Sequence, residues 1–214
     1  MFSTLVKAQL RAEFRDKTLL LRSFPFVGLI LLLFAFAFDP DRGVLKAISP
    51  GLWWVVASFA AMFIFTRDSH NKRETNFINQ FGLDPQLTFF ARVTVNFILT
   101  FLVTFVSGLV VVFLFSPDVI NIGLIVVISI LGTLSLSVIG SIYSPIVRNN
   151  SDAGQFLTLI VLPTALPALL AAIQATDAAL NSDLSESYKW VGLMAIFTVL
   201  YLSAGALACD SLES

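Results

Sequence analysis

The sequence predicts an all-α membrane protein, and its composition and its long apolar runs are the reasons. Of the 214 residues, 57% are hydrophobic and only 13% are charged, whereas soluble domains carry about 25% charged residues. So few charges would not cover a surface that faces water, and 21 phenylalanines are too many for a small soluble core. The apolar runs are continuous and do not alternate, which indicates helices rather than barrel strands.

Six runs come close to the length of about 20 apolar residues that a spanning helix needs. They are predicted at about 24–38, 48–66, 89–115, 120–147, 153–175 and 190–208. The first run is short and borrows Leu19 to Leu21 to reach that length. The whole chain, 1–214, is therefore expected to form a single transmembrane domain.

Positive charges in short loops orient such a chain, because cytoplasmic loops retain lysine and arginine. With both termini inside, ten basic residues lie on the cytoplasmic side and three lie outside. The outer three are Arg42, Lys46 and Lys189, and the inner ten are Lys7, Arg11, Arg15, Lys17, Arg22, Arg67, Lys72, Arg73, Arg92 and Arg148. The sequence thus predicts six spans with both the N-terminus and the C-terminus in the cytoplasm.

Two predicted cytoplasmic segments are expected to be partly helical. Residues 1–22 place four basic residues on one helical face beside an apolar arc, which favours an interfacial helix with its bases toward anionic lipid headgroups. The alternative is a basic leader that only sets topology. Residues 67–88 form the longest and most polar loop, in which a short helix is expected to end near Gly82.

Motifs for catalysis and for nucleotide binding do not occur in the sequence. It contains no G-x-x-x-x-G-K-[ST] phosphate loop, no G-x-S-x-G elbow and no cluster with metal-ligand spacing. The only histidine, His70, is interpreted as a solvated loop residue, and Cys209 as an inert cysteine near a helix end. No charge lies at mid-depth in a predicted span, where an ion-coupled carrier would need one. We expect a non-enzymatic subunit with no catalytic or metal-binding residues, driven by a partner.

Three features of the helices call for an interpretation. Ser129, Thr133, Ser137 and Ser141 repeat every four residues, which favours close helix packing over a substrate path. Two prolines in Leu162-Pro163-Thr164-Ala165-Leu166-Pro167 predict a kinked or broken fifth span, either static or moving. Trp53 and Trp54 follow Pro50-Gly51 near the predicted outer end of the second span. They are interpreted as interfacial tryptophans or, alternatively, as an aromatic platform for a flat hydrophobic ligand.

Three stretches carry a further signal by their order along the chain. The first is Ser49-Pro50-Gly51-Leu52-Trp53-Trp54-Val55. The second runs from Arg67-Asp68 through Asp84-Pro85-Gln86-Leu87 to Ala91-Arg92-Val93. The third is the double-proline stretch with Ala171-Ala172 and Asp177-Ala178-Ala179 after it. Together they resemble the cytochrome c maturation protein B (CcmB) family along nearly the whole chain, and the first is similar to that family's P-G-x-x-W entry to the second helix.

The resemblance implies the membrane subunit of an ABC-type complex, with an ABC-2-permease-like fold, in the bacterial cytoplasmic (inner) membrane. A separate CcmA-type ATPase would bind ATP and dock on the 67–88 loop. The residues expected to couple to it are Arg67, Asp68, Lys72, Arg73, Glu74 and Asn76. This loop departs from the family's usual D-G-x-L-E-like core, since the corresponding stretch reads Lys72-Arg73-Glu74-Thr75-Asn76.

The resemblance also implies partners and a task. CcmC, CcmD, the haem chaperone CcmE, a second copy of the chain and membrane lipid are the expected partners, and nucleic acid is not. No cofactor is expected to bind firmly. Haem would be a transported or relayed ligand, and ATP-driven release of haem-loaded chaperone is favoured over haem export.

Two other functions remain open at this point. An ABC-2-type half-permease could export another hydrophobic or lipid-linked substrate, because a fold does not determine its cargo. A membrane scaffold without transport could hold partners through the small-residue helix faces.

Overall fold

The computed structural model is all-helical over the residues that it describes, which are 2–15, 18–37, 42–70, 85–115, 121–147 and 153–211. Seven helices lie in these ranges. They are α1 (Phe2–Arg15), α2 (Thr18–Ala37), α3 (Arg42–His70), α4 (Pro85–Phe115), α5 (Ile122–Val147), α6 (Ala153–Leu180) and α7 (Leu184–Ser211). The all-α prediction is confirmed.

Five of these helices, α3 to α7, are long and apolar enough to cross a membrane. The protein is therefore a multi-pass membrane protein. The apolar part of α2, Ser23–Ala37, is shorter, and the predicted first span of 24–38 ends just outside the described residues. Whether α2 crosses the membrane as a sixth span stays a prediction, and so does the orientation of the bundle.

Several helices extend beyond the apolar runs that predicted them. Helix α3 extends past 48–66 at both ends, so the predicted loop of 67–88 begins inside α3 and ends inside α4. Helix α7 begins at Leu184 rather than near 190, because Asp183 caps it: its Oδ1 accepts a hydrogen bond of 3.1 Å from the Glu186 backbone N–H. A search for apolar runs does not detect a polar first turn of this kind.

Helix α3 lies at the centre of the bundle. It packs against α2, α4, α5 and α6, and 72% of its apolar window is buried, compared with 17% for α7. Helices α4 to α7 follow one another as neighbours, and α5 also contacts α7. Helix α1 packs against α4. The residues on α3 therefore decide how the other helices meet.

The outer surface of the bundle is as apolar as its core. Large side chains such as Phe36 and Phe113 are exposed over 81% and 83% of their surface, while Trp54 and Phe65 are fully buried. An apolar surface of this extent would aggregate in water but is solvated by lipid tails. Since lipid removes the hydrophobic drive for helices to associate, hydrogen bonds and close packing must hold this bundle together.

Candidate functional site

The segment Pro50-Gly51 lies within helix α3, not at its start. Pro50 is buried and has no N–H to donate to the carbonyl four residues earlier, which belongs to Lys46. Ser49 compensates, because its Oγ donates a hydrogen bond of 2.8 Å to the Lys46 carbonyl oxygen. The helix thus continues through Pro50 and carries the following tryptophans into the bundle.

Trp53 and Trp54 lie inside the protein and not at a lipid interface. Their side chains are 7% and 0% exposed, and their ring centroids are 5.4 Å apart. Neither ring is open to headgroups or to a flat ligand, so neither the interfacial interpretation nor the aromatic platform describes this structure. Both predictions failed for one reason: a hydropathy pattern does not distinguish a buried indole from one that faces lipid.

Both indole N–H groups are bonded within the protein, as buried tryptophans require. Trp53 Nε1 donates to the Thr104 carbonyl oxygen at 3.0 Å and to Ser107 Oγ at 3.1 Å, which joins α3 to α4. Trp54 Nε1 donates to Thr176 Oγ1 at 2.9 Å, which joins α3 to α6. The tryptophan pair therefore anchors the central helix to its neighbours.

A second set of buried polar groups follows α4 and α5. The four hydroxyl residues that repeat along α5, Ser129, Thr133, Ser137 and Ser141, are at most 7% exposed and therefore lie inside the bundle. Asn96 on α4 donates from Nδ2 to Ser141 Oγ at 2.9 Å. On the far side of α5, Ser135 and Thr198 of α7 share a hydrogen bond of 2.6 Å. The α4 residues were not singled out from the sequence, although Asn96, Thr100 and Thr104 lie four residues apart.

The two prolines of the fifth predicted span do not break it, since α6 is continuous from Ala153 to Leu180. A proline in a helix frees or weakens the hydrogen bonds of the carbonyls three and four residues before it. Thr164 Oγ1 donates to the Ile160 carbonyl at 2.8 Å, three residues before Pro163. Tyr201 Oη on α7 donates to the Thr164 carbonyl at 2.8 Å, three residues before Pro167. Side-chain hydroxyls therefore donate hydrogen bonds to carbonyls whose backbone hydrogen bonds the prolines weaken.

Helix α1 has an apolar side and a basic side, although it covers only part of the segment 1–22 that was predicted as one interfacial helix. Val6 and Leu10 pack against the hydrophobic core, while Lys7 and Arg11 are exposed. The apolar face thus rests on the bundle beside α4. The helix ends at Arg15, and α2 begins at Thr18.

The residues expected to couple to an ATPase lie mostly outside the described residues, so their grouping stays a prediction. Arg67 and Asp68 lie in the last turn-and-a-half of α3, and their side chains are outside the described part. Lys72, Arg73, Glu74 and Asn76 lie outside the described residues altogether. Within the described residues, no three His, Cys, Asp or Glu side chains could hold a metal ion.

Comparison with known proteins gives one consistent result. Residues 1–211 match the family described as CcmB protein. The chain is 29% identical to "Heme exporter protein B" of Haemophilus influenzae over 212 residues, which cover 97% of this chain and 96% of that protein. It is 27% identical to the protein of the same name from Pseudomonas aeruginosa over 191 residues, covering 85% of this chain and 82% of that protein. With a family match along almost its entire length, this multi-pass membrane chain belongs to the CcmB protein family.

Proposed function

We propose that this chain is the membrane subunit of an ABC-type complex for cytochrome c maturation, in which a separate ATPase supplies the energy. The observation that carries the proposal is the family match over residues 1–211, with relatives named heme exporter protein B. A bundle of apolar helices suits a subunit that spans the bilayer, and the sequence carries no phosphate loop of its own.

The proposed complex places the chain in the bacterial inner membrane with both termini in the cytoplasm. A CcmA-type ATPase docks on the 67–88 segment and contacts Arg67, Asp68, Lys72, Arg73, Glu74 and Asn76. CcmC, CcmD and the haem chaperone CcmE are the further partners, with a second copy of the chain as another. ATP hydrolysis drives the release of haem-loaded chaperone or the export of haem.

Helix α1 supports this arrangement. Its apolar face lies on α4 through Val6 and Leu10, so movement at the cytoplasmic surface would reach α4 directly. Its exposed Lys7 and Arg11 suit contact with anionic headgroups at that surface. The N-terminal helix would therefore act together with the 67–88 segment in transmitting the ATPase motion.

The decisive experiment is a haem-stained gel of membranes from a strain that lacks this chain, with and without a plasmid copy. We expect the bands of covalently bound haem to vanish in the deletion and to return with the plasmid. A plasmid copy of an unrelated multi-pass protein is the control for membrane loading. Unchanged bands in the deletion strain would refute the maturation role and favour export of a different hydrophobic substrate.

A further inference from the structure

Helices α4 and α5 each carry a row of small polar side chains in the interior of the bundle, and the two rows meet where Asn96 contacts Ser141. The row on α4 is Asn96, Thr100, Thr104 and Ser107, and the row on α5 is Ser129, Thr133, Ser137 and Ser141. None of these eight side chains is more than 7% exposed.

The register of the two rows follows from one contact. Helices α4 and α5 are consecutive neighbours with a short connection, so they run antiparallel. The hydrogen bond of 2.9 Å from Asn96 to Ser141 sets their alignment. One turn further along α4 and one turn back along α5, Thr100 comes level with Ser137. A further turn brings Thr104 level with Thr133.

The hydroxyls of the two rows are satisfied very differently. Each α5 hydroxyl donates to a carbonyl four residues earlier in its own helix, at 2.6 to 2.7 Å. Thr100 Oγ1 and Thr104 Oγ1 have no hydrogen-bond partner, although both residues are 0% exposed. Threonines elsewhere, such as Thr94 and Thr176, bond the carbonyl four residues before them at 2.7 Å. The two unpaired hydroxyls therefore stand out among the described threonines.

These hydroxyls lie at the middle of the predicted span. The apolar stretch of α4 runs from Gln86 to Phe115, and Thr100 lies halfway along it. A polar group that is buried there without a partner is unfavourable, because lipid and packed protein offer it no hydrogen bond. Both residues have no exposed surface, so water reaches them only if α4 separates from the helices packed against it, which include α3 and α5. Among these eight residues, the hydrogen bond from Asn96 to Ser141 is the one that joins the α4 row to the α5 row.

We propose that the polar rows of α4 and α5 are the closed form of a water-accessible polar pathway. In the open form the helices part, and water bonds to the Thr100 and Thr104 hydroxyls and to the exposed oxygen lone pairs of the α5 row. Opening replaces two unpaired hydroxyls by hydrated ones, which offsets part of the lost packing. The inference rests on the proposed function, since the ATPase cycle is what opens the pathway.

Cysteine labelling tests the pathway directly, because a thiol reacts with methanethiosulfonate reagents as the thiolate, which forms only in water. Cys209 is the only cysteine of the chain, so Cys209→Ala gives a clean background. Into it we would place Thr100→Cys or Thr104→Cys and label membranes of the full complex with a charged, water-soluble reagent, with and without ATP. Three control variants complete the set. Val103→Cys lies outside the polar row and is only 1% exposed, and Phe105→Cys is 52% exposed on the lipid-facing side. Asn181→Cys lies in an exposed turn.

We expect Asn181→Cys to react fully and Val103→Cys and Phe105→Cys to remain unmodified. Thr100→Cys and Thr104→Cys should react about 10 to 100 times more slowly than Asn181→Cys, since an open state populated at about 1–10% reacts only while it is open. If both remain as unreactive as Val103→Cys, with and without ATP, the pathway does not exist.

A second variant keeps the test independent of labelling. The double change Thr100→Val and Thr104→Val conserves shape and removes the unpaired hydroxyls, so the purified chain should melt several degrees higher. A lower melting temperature would show that the hydroxyls are paired in the closed form and would overturn the proposal. The haem-stained gel separates the two claims. If Thr100→Cys and Thr104→Cys are labelled but deletion of the chain leaves the haem bands unchanged, only the maturation role is refuted. If the haem bands depend on the chain but neither cysteine is labelled, only the pathway is refuted.

Discussion

The indole of Trp54 occupies the place that a side chain at position 132 would otherwise take. Its ring lies so close to Gly132 of α5 that a Cβ atom there would overlap the ring carbons. The ring is also fully buried and tied to Thr176 through its N–H. It therefore has no room to move aside, and glycine is the residue that lets α3 and α5 approach so closely.

Replacing Gly132 by alanine should consequently destabilise the bundle. The added methyl group overpacks a site next to a fixed ring, which costs about 1–3 kcal/mol of unfolding free energy. The measurement is the unfolding of the detergent-purified chain by sodium dodecyl sulfate, followed by tryptophan fluorescence.

Gly123→Ala is the matched control, since a Cβ at Gly123 of the same helix would meet nothing within 4 Å. There the change should leave stability equal or raise it by up to about 1 kcal/mol through helix propensity. Equal stability of the two variants would contradict the packing described for Trp54.

Helix α6 shows how a whole element tolerates two prolines. The Thr164 carbonyl, three residues before Pro167, accepts a hydrogen bond from Tyr201 on α7. This bond also links the last two helices, of which α7 has only 17% of its apolar window buried. The bond therefore adds a fixed polar contact to the packing between α6 and α7.

Removing that hydroxyl with Tyr201→Phe should loosen α7 from α6. The loss is expected at about 0.5–1.5 kcal/mol of unfolding free energy, the net worth of a typical hydrogen bond. The same change at Tyr188, which is 62% exposed, should have no measurable effect. Proteolysis of the C-terminal helix in nanodiscs would report the difference, and equal cleavage rates for both variants would exclude a role for the Tyr201 bond.

For the molecule as a whole, the distribution of charge is the feature that links fold to function. Ten of the thirteen basic residues fall on one side of the predicted topology. The exposed Lys7 and Arg11 of α1 belong to this basic side, as do Lys72 and Arg73 in the proposed docking segment. A soluble ATPase would meet this side first, and opposite charges on its surface would steer the two together.

Reversing Lys72 and Arg73 to glutamate should release the ATPase while the chain still inserts. Co-purification should fall at least about tenfold, because like charges at an interface cost several kcal/mol. The measurement is the amount of ATPase retained with the affinity-purified chain, with carbonate-washed membranes to verify insertion.

The same double reversal at Arg42 and Lys189, on the predicted outer side, serves as the control and should leave the ATPase bound. Should ATPase retention be unchanged in the Lys72 and Arg73 variant, the contact lies outside this segment.

The all-helical, multi-pass character of the chain could be foreseen from the residues, because a bilayer demands long apolar helices and such runs are visible in a chain with only 13% charge. The family could be foreseen as well, since Pro50-Gly51, Trp53-Trp54 and the double proline keep their order along the chain. The α5 hydroxyl row could be recognised from its four-residue spacing, and the structure places it inside the bundle. Each of these features depends on local composition or on linear order alone.

The inner and outer faces of the helices, by contrast, were decided by tertiary packing. Apolar residues face both the core and the lipid, so hydropathy places Trp54 and Phe113 equally well on either side, although one is fully buried and the other is 83% exposed. The partners of Trp53, Trp54 and Tyr201 lie 37 to 122 residues away in the chain. The unpaired hydroxyls of Thr100 and Thr104 become visible only when α4 meets α5, because hydrogen bonding between helices depends on their register and not on the sequence of either one.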